Sequence, residues 1–324
     1  CTVLRGGKVT GVCQPQNESN ASLSRLMIGA EPAALEHRPA HTGDVVLQVR
    51  DLLLPRQDAF GVDLIDVSLQ VRSGEVVGIA GVSGNGQQEL LRALSGEDTR
   101  AQPAMVQVTG QDVARLGPQQ RRALGLHFVP EERLGRGAVP TMGLAHNLLL
   151  TRNDAVGAMG WLHLGQLKAQ ARAIIERFGV KAGGADAPAR SLSGGNLQKF
   201  IVGREIAAQP KLIIIAQPTW GVDVGAAAQI HAEILALRDA GCAVLIVSEE
   251  LDELFELSDR LYVLAKGHLS PSVARADATV QQVGEWMSGL WNADVQQHLA
   301  DMEQVLPSSE AAQANALVKG PQHV

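Results

Sequence analysis

The chain has 324 residues, 45% of them apolar, and a formal net charge of -6, which is enough to bury one large core or two and places it among globular proteins. Its longest apolar runs, around 212–216 and 243–247, fall far short of the roughly 20 residues a membrane helix needs, so a membrane role has to pass through a partner. No dense Lys/Arg block offers nucleic acid a stripe, and Cys1, Cys13 and Cys242 match no metal or redox spacing, which fits a reducing, cytosolic setting.

The chain opens without Met or a signal-like stretch, which reads as a fragment or a processed product. An internal repeat accounts for this opening better. Residues 2–9 align with 262–269 at an offset of 260, matching Val3 to Val263, Leu4 to Leu264 and Gly7 to Gly267; the same offset sets Met27 on Met287 and Gly29 on Gly289. Two segments in one register favour duplication. Residues 1–30 therefore read as the remnant tail of a first copy, 31–44 as a linker rich in Ala, Pro, Glu and His, and 45–290 as a whole second copy. The polar, Ala/Gln-rich stretch 291–324 reads as a flexible tail.

Within the second copy, 46–49 and 67–71 alternate as half-buried strands do, and 76–80 is a buried strand. A glycine loop follows, then a helix with Leu90, Leu91 and Leu94 on one face. A short strand near 105, a helix over 118–124 and the strand 126–129 come next, then a mainly helical region over about 144–209, in which Gly179 stands as a cap. The order then returns to strand 212–215, helix to Gly241, strand 243–247, helix 252–257 and strand 261–264. Strands alternating with helices predict an α/β fold with a mostly parallel sheet covered on both faces.

Two stretches and four single positions carry chemistry. Between a buried strand and a helix, Gly81, Ser83, Gly84, Asn85 and Gly86, followed by Gln87 and Gln88, have the frame of a phosphate-binding loop; taken alone they read equally as an ordinary glycine turn. Ser193, Gly194 and Gly195 open a helix, a place where free N-H groups and a positive dipole end suit phosphate, although Ser193 is also a plain N-cap. Glu131, Gln217 and Glu249 each follow a predicted strand, and Asp223 closes a Gly-Val-Asp turn.

In that order the motifs resemble the nucleotide-binding cassette of ABC transporters: Walker A, Q-loop, Leu-Ser-Gly-Gly-Asn signature, Walker B, D-loop and switch loop, over about 45–290. The spelling is similar to the second cassette of tandem-cassette subunits that drive uptake of simple sugars and nucleosides. The resemblance implies an ABC-type P-loop domain with an antiparallel β subdomain and a helical signature subdomain. It also implies ATP with Mg²⁺ as cofactors and, as partners, transmembrane permease subunits, a first cassette with intact Walker motifs and, indirectly, a solute-binding protein. The implied location is the cytoplasmic face of the cell membrane, peripherally, without nucleic acid.

Carried over by position, Gln87 stands at the Walker Lys, Gln88 at the Mg²⁺ hydroxyl, Ala216 at the Walker B Asp, Gln217 at the general base, Glu249 at the switch His and Glu131 at the Q-loop Gln. An amide takes no proton from water, and Ala orders no Mg²⁺. These departures imply a degenerate ATP site and an isolated chain that hydrolyses weakly or not at all. The intact signature, Ser193, Gly194 and Gly195 with the D-loop Asp223, would instead act in trans on ATP held by the first cassette. A non-catalytic regulatory or structural cassette is the alternative, and a soluble ABC ATPase acting on nucleic acid stands third. Phe60 reads as an adenine stack or an ordinary aromatic, Trp220 as packing, and His127 and His146 as core or helix-surface residues. Cys242 reads as a small core residue, and Glu250, Asp252 and Glu253 as a solvated acidic helix start.

Overall fold

In a computed structural model the chain begins with a hairpin, β1 (Thr2–Arg5) and β2 (Lys8–Val12). The structure describes residues 1–5, 8–14, 16, 18, 22, 41–152, 157–158 and 161–291. Most of the expected linker and most of the 291–324 tail lie outside these residues, as does the Met27/Gly29 part of the repeat.

Alternation along β3 (Val45–Leu54), shifted by an irregularity between Val49 and Leu52, and along β4 (Leu64–Arg72) buries Leu47, Val49, Leu52, Val67, Leu69 and Val71. With β5 (Val76–Ala80) the pattern changes to five buried residues in a row, as a strand covered on both faces requires. Helix α1 (Gln87–Ser95) follows, then β6 (Val106–Val108), β7 (Gln111–Asp112), α2 (Pro118–Ala123) and β8 (Leu126–Val129). The helical region holds α3 (Leu144–Leu149), a small hairpin of β9 (Gly157–Ala158) and β10 (Trp161–Leu162), α4 (Leu164–Arg177) and α5 (Gly194–Ala207). The chain then runs through β11 (Leu212–Ala216), α6 (Val224–Asp239), β12 (Ala243–Ser248), α7 (Leu251–Leu257) and β13 (Arg260–Ala265). It closes with β14 (His268–Leu269), β15 (Val273–Ala274) and α8 (Val280–Met287).

Strands β8, β11, β12, β5 and β13 lie side by side and parallel, in that order, with β14 and β15 antiparallel to β13; β4, β3, β6 and β7 form a separate antiparallel sheet. Successive residues of β11 serve opposite layers. Leu212, Ile214 and Ala216 join the core shared with α1 and the antiparallel sheet, whereas Ile213 and Ile215 join the one shared with Phe178, Phe200, Ile230 and Ile234 of the helical side. The expected fold class holds, with strands longer than the sequence pattern marked.

The opening hairpin repeats a later one in detail. Leu4 pairs with Val9 and Arg5 with Lys8, just as Leu264 pairs with Leu269 and Ala265 with His268, 260 positions on. The described part of the repeat thus has the same strand register in both places.

Candidate functional site

Four of the parallel strands end at one edge of the sheet, the place where open α/β folds bind ligands. The glycine loop leaves β5 there, and Glu131, Gln217 and Glu249 follow β8, β11 and β12. Gly84 and Gly86 have φ of +83° and +107°, left-handed values that a side-chain-bearing residue resists. Asn85 pins the loop to the turn between β13 and β14: its Oδ1 accepts from Lys266 N-H at 2.8 Å, and its carbonyl accepts from Gly267 N-H at 2.9 Å. Ser83 and Gln88 are exposed.

The mouth of this loop is taken by its own side chain. Gln87 Oε1 accepts from Asn85 N-H at 3.0 Å, and Gln87 Nε2 donates to the Val82 carbonyl at 2.8 Å. The same Nε2 lies 2.4 Å from where a Cβ on Gly81 would sit. An amide turned back into the loop uses a backbone donor that a phosphate needs, and brings no charge. Across from it, burial and then the charges of Glu249 and Glu132 push the Glu131 carboxyl above its ordinary range. Mg²⁺ requires oxygen ligands, usually carboxylate; at the expected positions stand an amide, Gln88, and a methyl, Ala216. The residues at this loop do not fit a Mg²⁺-bound triphosphate.

Gln217 faces the switch loop. With φ of +48°, its Oε1 accepts from Ser248 Oγ at 3.2 Å and from Glu249 N-H at 3.3 Å. Behind it runs a buried network that sequence reasoning missed. Glu253 accepts from Ser248 Oγ at 2.8 Å and from Thr219 Oγ1 at 2.5 Å, and it stands 3.0 Å from His231 Nε2, while Glu256 lies 3.2 Å from His231 Nδ1. Burial works against a charged His231, but hydrogen bonds to and charges of Glu253 and Glu256 outweigh it and raise the imidazole to about 9. The expected solvated role of Glu253 is thereby corrected: the residue is 4% exposed, because α7 turns this face onto α6. The i to i+3 spacing from Glu253 to Glu256 was the available signal.

The signature turn is open. Ser193 caps α5, its Oγ accepting from Asn196 Nδ2 at 2.8 Å and from Asn196 N-H at 3.5 Å, and it remains exposed. Asn196 Oδ1 accepts from Lys181 N-H at 2.7 Å, which fixes the turn from behind. Asp223 caps α6 through Ala226 N-H at 2.9 Å, and its Oδ2 lies 3.5 Å from where a Cβ on Gly195 would sit. The turn before α6 and the first turn of α5 thus meet. Arg133, also missed from sequence, crosses between them: its Nε donates to Gln198 Oε1 at 3.2 Å and its Nη2 to the Trp220 carbonyl. No hydrogen bond links 193–195 to 81–88 among the described residues.

The secondary candidates divide. Phe60 is 99% exposed and Trp220 57% exposed, which overturns packing for Trp220. His127 is buried against Glu205 at 2.9 Å, in a cluster with Arg122 and Arg204, while His146 lies on the surface of α3. Cys242 is buried, its thiol pushed up to about 12 by that burial, as suits a core residue. No helix among the described residues is long and apolar enough to cross a membrane.

Comparison with known proteins finds one matching family profile and a set of similar proteins. The profile of the ABC transporter family matches residues 64–220. The chain is 37% identical over 292 residues to the guanosine import ATP-binding protein NupO of Bacillus subtilis, covering 89% of the chain and 57% of that protein. It is 39% identical over 294 residues to the glucose import ATP-binding protein TsgD13 of Haloferax volcanii, with 89% and 53% covered. The chain therefore spans a little over half the length of these curated relatives. In fold it is similar to a nucleotide-free ATP-binding cassette from an ABC transporter (TM-score 0.61, 22% identity, 78% of this chain and 97% of that one). It is also similar to a dimeric cassette bound to ADP and phosphate (TM-score 0.60, 18% identity, 71% and 98%).

Proposed function

We propose that the chain, whose residues 64–220 match the ABC transporter family, is the second cassette of a tandem ATP-binding subunit that powers import of a simple sugar or nucleoside. Its own loop is degenerate, and its signature completes the ATP site of the first cassette. ATP hydrolysis then belongs to the assembled pair, with Mg²⁺ held at the site whose Walker motifs the first cassette supplies. The contrast between the two glycine turns carries this reading: Gln87 fills one, while the other leaves Ser193 and Gly194 exposed at the start of its helix. The paired register of the hairpins 260 positions apart supports the tandem arrangement.

Residues 193–195 and Asp223 would face the γ-phosphate, where helix N-terminal N-H groups stabilise anionic oxygens. Glu131 and the segment after it would face permease subunits at the cytoplasmic face of the membrane, with a solute-binding protein engaged through them. The imported solute follows from those partners. ATP turnover of the chain alone, and then mixed with a complete intact cassette, tests the division of labour. Near-zero turnover alone and strong turnover in the mixture are expected; vigorous hydrolysis by the isolated chain would sink the proposal. The filled loop favours one second reading, a purely regulatory cassette, for which the mixture would turn over no faster than the intact cassette by itself.

A further inference from the structure

Arg133 is held by two of its three guanidinium nitrogens. Nε is engaged by Gln198 on α5 and Nη2 by the Trp220 carbonyl in the turn before α6. Nη1 makes no hydrogen bond among the described residues, and it lies 2.7 Å from where a Cβ on Gly194 would sit. No carboxylate pairs with this cation among the described residues, and burial pulls its pKa below the ordinary arginine value. It stands beside the first turn of a 14-residue helix, and the N-terminal end of a helix is a region of positive potential. A half-buried cation in a positive field is costly until an anion joins it.

The arrangement also explains the choice of residue. A planar fork can be anchored at two nitrogens and still aim a third, which an ammonium cannot do. Arg133 reaches the signature from the segment after β8, so it ties together the stretch following Glu131, the signature helix and the Trp220 turn.

We infer that Arg133 is a catalytic residue of the site completed in trans: Nη1 meets the terminal phosphate of a nucleoside triphosphate presented to Ser193, Gly194 and Gly195, while Nε and Nη2 hold the guanidinium in place. This rests on the trans reading of the signature. Arg133 gives and takes no proton; it offsets charge on the phosphoryl oxygens as the bond to the bridging oxygen breaks and the water oxygen bonds to phosphorus. Its ligand class is triphosphate over diphosphate, because ADP has no group that reaches it.

The test mixes the chain with an intact cassette and measures steady-state turnover together with equilibrium binding of AMP-PNP and of ADP, for wild type, Arg133→Gln, Arg133→Lys and Ser193→Arg. Arg133→Gln is expected to lower turnover about 100-fold and to weaken AMP-PNP at least about 5-fold while ADP stays within about twofold. Arg133→Lys, which keeps the charge without the fork, is expected to fall between. Unchanged turnover in Arg133→Gln, or parallel loss of AMP-PNP and ADP binding, overturns the inference. Should the Gln variant not associate, parallel loss in Arg133→Lys does the same. Ser193→Arg separates the two levels: if it is silent, the trans reading fails and takes this inference with it. If it abolishes turnover while Arg133→Gln does not, the inference alone fails.

Discussion

Replacing His231 by Gln tests whether the network behind Gln217 is held by a charged imidazole. His231 is 6% exposed and sits between Glu253 and Glu256. Desolvation opposes its protonation, yet the two carboxylates raise it from 6.5 to about 9. At about 1.36 kcal/mol per pH unit this corresponds to about 3 kcal/mol of folding stability. Because the folded pKa is raised, the contribution is fully present below pH 6.5 and is lost as pH rises through about 9. Urea unfolding at several pH values between 6 and 9 reads it as the difference between wild type and His231→Gln. The upper limit matters, since the buried Cys242 thiol, pushed to about 12, adds its own pH dependence above the ordinary thiol range. The difference should be roughly 3 kcal/mol at pH 6 and shrink toward pH 9, with a further cost for leaving Glu253 buried without its cation. A difference that is flat across the window, or below about 0.5 kcal/mol at pH 6, would refute the charged network.

Three other outcomes follow from particular contacts. Glu205→Gln leaves the fully buried Arg204 without its carboxylate and should cost about 3–5 kcal/mol by chemical denaturation. Burial raises Glu205, but Arg204, His127 and Arg122 together lower it to about 2, so its stabilisation is present above pH 4.5 and lost as pH falls through about 2; acid unfolding of wild type against Glu205→Gln measures this. Gly203→Ala puts a Cβ 2.6 Å from the Phe178 ring in the core, which should cost about 1–3 kcal/mol and lower the thermal midpoint. Gln87→Lys should strengthen ATP binding to the isolated chain about tenfold, read by fluorescent-nucleotide displacement, without restoring hydrolysis, because Ala216 and Gln217 still supply neither Mg²⁺ ligand nor base.

The parallel sheet was legible because β5, β11 and β12 are continuous apolar runs between helical periods, and the turns at 81–86 and 193–195 because glycine, Ser193 and Asp223 mark local geometry. What escaped depends on pairs distant in sequence. Arg133 meets Gln198 and Trp220 across 65 and 87 positions, so no local pattern reveals it, and Glu253 meets Thr219 across 34, with only its i to i+3 spacing from Glu256 as a local sign. Glu253 followed Glu250 and Asp252 and read as part of a wet acidic start; only the packing of α7 on α6 separates it from them. That Gln87 folds back into its own loop likewise has no sequence signal, since an amide at that position could equally point outward.

ATP turnover by the chain mixed with an intact cassette, with and without Ser193→Arg, tests the trans signature most directly. A large guanidinium at the exposed cap should displace phosphate from the turn at 193–195 and reduce turnover to the level of the two components measured apart. Turnover that is undiminished in the Ser193→Arg mixture would contradict the account.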